Sequence, residues 1–110
     1  MAILNAAIAT TDTTILTVPT GKKYAITTLL VCNTATDDGT GTNDTSFDLH
    51  VIPSGQSKSD TNIILNNLEV TASDTFTFNV ERLILEQDDR LVLVGQTPTN
   101  LSATISYLEV

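Results

Sequence analysis

Read from its N-terminus, the chain alternates short apolar stretches with clusters of Thr, Asn, Asp, Ser, Gly and Pro. Several of the apolar stretches show the two-residue period of strands. In Phe47–Ile52 the residues Phe47, Leu49 and Val51 share one face, and Asp48, His50 and Ile52 share the other. Asp74–Val80 repeats the pattern with Phe76, Phe78 and Val80, and Leu101–Val110 with Leu101, Ala103, Ile105 and Tyr107. Thr13–Val18 has the β-branched composition of a strand, while Leu83–Leu85 and Leu91–Gly95 are shorter apolar strands. Tyr24–Asn33 is apolar at so many positions that it predicts a central strand buried on both faces. Asn62–Val70 reads as strand or helix, with Asn66-Asn67 positioned to bend a strand and weaken a helix.

The punctuation between these runs has its own chemistry. Pro19-Thr20-Gly21 and Pro53-Ser54-Gly55 combine a fixed φ with a residue that accepts positive φ, so both predict turns. Glu86–Arg90 reads as a charged hairpin turn, and Thr34–Thr45 is a polar loop with two glycines. No stretch sustains a 3.6-residue apolar period over three turns. Roughly seven or eight short strands at intervals of about 8–12 residues predict one all-β domain. The expected architecture is a single antiparallel β-sandwich, jelly-roll-like, over residues 13–110, with residues 1–12 an N-terminal arm or the first strand.

Composition narrows the function. The length of 110 residues suits one domain. Only 16% of the residues are charged, and threonine, the commonest residue, takes their place. A surface of Thr, Asn and Ser costs less to desolvate than one of Lys and Glu, so it suits burial in a subunit contact. With five basic residues against thirteen acidic ones, the net charge is −8. That excludes nucleic acid, whose phosphates demand Lys and Arg, and an anionic membrane as partners. One cysteine, Cys32, allows no intrachain disulfide, and no Cys/His cluster suits zinc. The apolar run at Met1–Thr10 lacks a basic flank and is broken by Asn5, so neither a signal peptide nor a membrane span is expected.

Candidate chemistry is sparse. His50 and Asp48 share a strand face, which makes an Asp–His pair conceivable, but a nucleophile and an oxyanion hole are not in evidence; an exposed or interface histidine is the expectation. Cys32 lies in the most apolar run and is expected to be a buried, inert thiol. Asp37, Asp38, Asn43 and Asp44 offer hard oxygens for calcium, but their spacing fits no EF-hand loop, and a solvated loop is the simpler reading. Asn43-Asp44-Thr45 and Asn100-Leu101-Ser102 match the N-glycosylation pattern, although nothing directs the chain into a secretory pathway. No catalytic residue, metal or cofactor is therefore expected.

The run Thr14-Ile15-Leu16-Thr17-Val18-Pro19-Thr20-Gly21-Lys22-Lys23-Tyr24, followed by Leu29–Asn33, Phe47–Pro53, Thr75–Phe78 and Leu83–Leu91, resembles small virion structural proteins of tailed bacteriophages, particularly those of marine and cyanobacterial phages. Within it, Leu85-Glu86-Gln87-Asp88-Asp89 looks like a variant of a Leu-x-x-Gly-Asp turn, with Asp88 where Gly often stands, and Ser106–Val110 looks like the closing strand. The resemblance implies a β-sandwich in a capsid- or tail-associated protein, often oligomeric, and carries no catalytic or binding residue. The expected function is that of a capsid decoration or cement protein in the virion, assembled in the host cytoplasm, a non-enzyme that contacts copies of itself and phage capsid or tail proteins. The alternative is a tail, neck or fibre module that recognises a host-surface glycan. Ile3, Leu4 and Ile8 of the apolar arm are the expected docking residues.

Overall fold

The computed structural model describes residues 2–110, with the side chains of residues 80–82 outside the description. The expected facing of Val80, and Met1 at the tip of the arm, therefore lie outside the described residues. Eight strands follow in order among the described residues: β1 (Ala2–Ala7), β2 (Thr13–Thr17), β3 (Tyr24–Asn33), β4 (Thr45–Ile52), β5 (Ile63–Val70), β6 (Thr75–Leu85), β7 (Arg90–Gly95) and β8 (Leu101–Glu109). No helix occurs among the described residues.

The pairing is that of one long ribbon folded on itself. β1 pairs with β8, β2 with β7, β3 with β6 and β4 with β5, all antiparallel. The ribbon then rolls up, so that β3 also meets β8 and β4 also meets β7. Two four-stranded sheets result, in the orders β1-β8-β3-β6 and β2-β7-β4-β5. This is the jelly-roll sandwich.

Four turns share one device: a main-chain hydrogen bond across four residues with the third residue at positive φ. In Pro19–Lys22 and Pro53–Gln56 that residue is Gly21 (φ 77°) or Gly55 (φ 79°). In Thr71–Asp74 and Glu86–Asp89 it is Ser73 (φ 66°) or Asp88 (φ 67°), conformations that cost a residue with a Cβ. Asp89 stabilises its own turn, accepting the Glu86 N–H at 2.8 Å and the Ser54 N–H at 2.8 Å.

The core lies between the sheets and is aliphatic, with Phe47 and Leu93 fully buried beside Ile26, Val31 and Ile105. Phe76 and Phe78 pack against it from β6, and the Phe47 and Phe76 rings lie 6.1 Å apart.

The structure corrects the sequence reading in two elements and decides a third. Leu83–Leu85 is the end of β6 and not a separate strand, because Ile26 of β3 pairs Leu83 and Thr28 pairs Asn79 across a bulge. β3 is central in its sheet, yet only Ile26, Leu29, Val31 and Asn33 are fully buried; the opposite face, with Leu30 and Cys32, is half-buried. Asn62–Val70 resolves as strand β5, and register shifts against β4 break its regularity. Asn67 takes φ 54° there, with its N–H on Asp48 Oδ1 at 2.6 Å and its side-chain oxygen on Ser46 Oγ at 2.6 Å.

Candidate functional site

The residues singled out for chemistry are scattered and engaged. His50 is buried, not exposed, and its partner is Asn62, not Asp48: Nδ1 lies 2.8 Å from Asn62 Oδ1. That oxygen also accepts the Ser59 N–H at 3.1 Å, and the Asn62 amide nitrogen donates to Ser57 O at 2.9 Å. The amide orientation is thereby fixed, so His50 Nδ1 carries the proton and donates. Asp48 is occupied by Asn67. The loop between β4 and β5 folds back over the outer face of the second sheet, with Arg90 donating to Gln56 O at 2.8 Å and Lys58 bonded to Asp12. It covers His50, Ile52 and Val92, all buried although outside the main core cluster.

The acidic loop serves its own backbone. Asp37 Oδ1 accepts the Gly39 N–H at 2.9 Å, and Asp44 Oδ1 accepts the Ala72 N–H at 2.9 Å. Asp38 Oδ1 accepts from the Thr40 hydroxyl at 2.6 Å and the Thr40 N–H at 3.0 Å, which holds its carboxyl below the ordinary value. Among the described residues, no three of His, Cys, Asp and Glu converge as metal ligands. Asn33, also buried, ties the loop down by donating to Asn43 O at 2.8 Å and Val70 O at 3.0 Å. Both glycosylation-pattern asparagines use their amide nitrogens, Asn43 on Thr36 O and Asn100 on Asn43 O.

At one end of the sandwich Tyr24 and Tyr107 lie against each other, with ring centroids 4.6 Å apart and ring planes tilted by 38°. With Ala2 and Glu109 they line an open cleft of about 300 Å³. Glu109 is paired with Lys22 at 3.0 Å, and this carboxylate raises the lysine pKa by its hydrogen bond and its charge.

The larger feature is the outer face of the first sheet. Register places Ile3, Ser106, Thr28 and Asn79 in one row across it. The next row is Asn5, Thr104, Leu30 and Thr77, and the next Ala7, Ser102, Cys32 and Thr75. Leu108, Ala25 and Ile84 end the face, with Leu108 38% and Ile84 51% exposed. Among the described side chains in these rows there is no charge, in a chain of net charge −8. Cys32 belongs to this face as a half-exposed free thiol, so the expectation of a buried one is corrected. The strand alternates, and the inward positions went to Val31 and Asn33. Among the described residues, no loop folds over this sheet as one does over the second.

The face runs out to β1, which is a strand of the sandwich and not a detached arm. Ile8 is 2% exposed and belongs to the core, Leu4 points inward and is half-buried, and only Ile3, at 65%, stands exposed. Of the three expected docking residues, two are therefore turned toward the interior by the two-residue period. After β1 the chain crosses between sheets: Ile8 N donates to Leu101 O at 3.0 Å, and Gly95 N donates to Ala9 O at 2.7 Å. A Cβ on Gly95 would stand 3.1 Å from Ile8 Cγ2 and 3.3 Å from Ala9 O, so glycine permits this crossing.

Fold and face together define a jelly-roll sandwich with one sheet covered by its own loop and the other presenting an outer face without charge among the described side chains. No family model, curated protein or solved structure matches the chain.

Proposed function

We propose that this protein is a structural component of a phage particle, a capsid decoration or cement protein that works by association and performs no catalysis. The observation that supports this best is the outer face of the first sheet, which shows no charge among its described side chains and is bordered by the uncharged edge strand β1. Hydroxyl and amide groups on a sheet face desolvate at low cost and pair across an interface, whereas a surface meant to stay free in an acidic protein has no reason to carry so few charges. The acids concentrate instead in loops such as Asp37–Asp44 and Glu86–Asp89, where they keep the free protein soluble. The resemblance of the strand-and-turn segments to phage virion proteins supplies the context. In this reading the protein resides in the virion, is assembled in the host cytoplasm, and has as partners copies of itself and phage capsid or tail proteins.

Mass measurement in solution and co-sedimentation with empty phage capsids test the reading. Oligomers that sediment with capsids are expected. A monomer that stays in the supernatant overturns it.

The tyrosine cleft favours the second reading, a glycan-recognising module of a tail, neck or fibre, because two adjacent aromatic rings beside a carboxylate suit a sugar face and its hydroxyls. Under that reading a glycan array gives binding that Tyr107→Ala abolishes. Under the first, the same substitution leaves capsid sedimentation unchanged.

A further inference from the structure

We infer that β1 is the seam through which two copies of this chain join, pairing antiparallel with each other about a two-fold axis at Asn5. This deepens the assembly reading and rests on it, by naming the partner as a second copy and the contact as one strand edge.

The sandwich has four edge strands, β1 and β6 in one sheet, β2 and β5 in the other. Exposed edges invite pairing with foreign strands unless they are short, bulged, charged or covered. Three of the four carry such devices. β2 is five residues long, with a register shift between Thr14 and Leu16. β5 has two register shifts, a left-handed Asn67 and Glu69 on its course. β6 is shifted against β3 and carries Glu81 and Arg82 in its sequence. β1, six residues long, is neither bulged nor charged: its pairing with β8 runs unbroken from Ala2↔Tyr107 to Ala7↔Ser102, and it contains no charge and no proline.

The direction of its free backbone groups follows from one bond. Ile8 N donates to Leu101 O, so in this antiparallel ladder Ile8, Ala6 and Leu4 turn their main-chain groups toward β8. Ile3, Asn5 and Ala7 then turn theirs to the open edge. Antiparallel pairing that keeps each sheet face on its own side requires a residue to oppose its own copy or one at an even offset. An axis at Asn5 sets Asn5 against Asn5, Ile3 against Ala7 and Leu4 against Ala6. All three outward residues then meet outward residues, making about six main-chain hydrogen bonds. Each large side chain faces an alanine, the two Asn5 amides meet on the outer face, and no acid meets an acid. For a chain of net charge −8 this is a place where two copies approach without like charges opposed. The outer faces of both copies become one continuous eight-stranded surface, with the uncharged β1 strands at its centre.

Two variants of the full chain test this. Asn5→Pro removes the N–H that points to the open edge and spares those that hold β1 to β8, a placement an edge strand tolerates. Asn5→Lys sets two like charges against each other at the axis and is harmless to the monomer. Analytical ultracentrifugation and amide hydrogen exchange are the readouts, with circular dichroism as the check on folding. The wild type is expected to dimerise, with the Asn5 and Ala7 amides protected. Asn5→Pro raises the dimer dissociation constant about thirtyfold, since two hydrogen bonds are lost per dimer. Asn5→Lys dissociates the dimer and speeds exchange at Ala7 while Leu4, Ala6 and Ile8 stay protected. A wild type that is monomeric at about 100 μM overturns both the seam and the self-association reading. Oligomers indifferent to both variants, or with rapid exchange at Asn5 and Ala7, overturn the seam alone.

Discussion

The Asn62 side chain holds the cover of the second sheet, and its removal has a calculable cost. Asn62→Ala deletes three hydrogen bonds: from His50 Nδ1, from the Ser59 N–H and to Ser57 O. At about 1 kcal/mol each, the loss is about 3 kcal/mol. It leans upward because the His50 N–H is buried and left without a partner. In a domain of this length 1 kcal/mol moves the unfolding midpoint by roughly 4–6 °C, so a fall of about 12–18 °C is expected in thermal denaturation followed by circular dichroism. His50→Phe removes one bond, keeps a planar ring of somewhat larger volume and leaves Asn62 Oδ1 with the Ser59 N–H, so it costs about 1–2 kcal/mol. The double variant has no orphaned imidazole, so it costs less than the sum of the two single changes by about 1–2 kcal/mol. A fall of less than about 4 °C in Asn62→Ala, or strict additivity in the cycle, would refute the clamp. His50→Phe also separates structure from chemistry, because assembly that survives it leaves the imidazole no task beyond holding the loop.

Asp88→Gly relieves the left-handed strain of its turn and raises stability by about 0.5–1 kcal/mol, read as a midpoint about 3–5 °C higher; an unchanged or lower midpoint counts against the strain. Thr40→Val removes the hydroxyl that bonds Asp38, so an NMR titration shows the carboxyl moving up toward its ordinary value of 3.8. Because the folded pKa is depressed, the stability this carboxylate contributes is present above its unfolded value and is lost as pH falls through the lower folded one. The variant shows less of that acid loss. Cys32 on the outer face reacts with a small thiol reagent in the native protein; labelling that requires denaturant would contradict its placement. Phe47→Ala empties a fully buried ring site and costs about 3–5 kcal/mol by chemical denaturation.

Much of this molecule could be read without coordinates. Alternation in Phe47–Ile52 and Leu101–Val110 determined strands, and Pro19–Gly21 and Pro53–Gly55 determined turns, because side-chain period and backbone freedom are local properties. The all-β sandwich followed from the spacing of those elements. Even the chirality problem at Asp88 had a trace in the turn pattern, where glycine is the residue without penalty. Local pattern does not say which face a neighbour will cover. Leu30 and Cys32 looked interior because β3 is apolar on both sides, yet only one side meets the other sheet. His50 looked exposed because it alternates with core residues, yet a loop of ten residues returns to bury it. Ile3, Leu4 and Ile8 looked alike as an apolar arm, and only the pairing of β1 with β8 divided them into core, inner and outer positions. The polar outer face could not be seen at all from one strand. It exists because roll-up of the ribbon brings β1, β8, β3 and β6 side by side, strands separated by most of the chain, and sequence order carries no record of that adjacency.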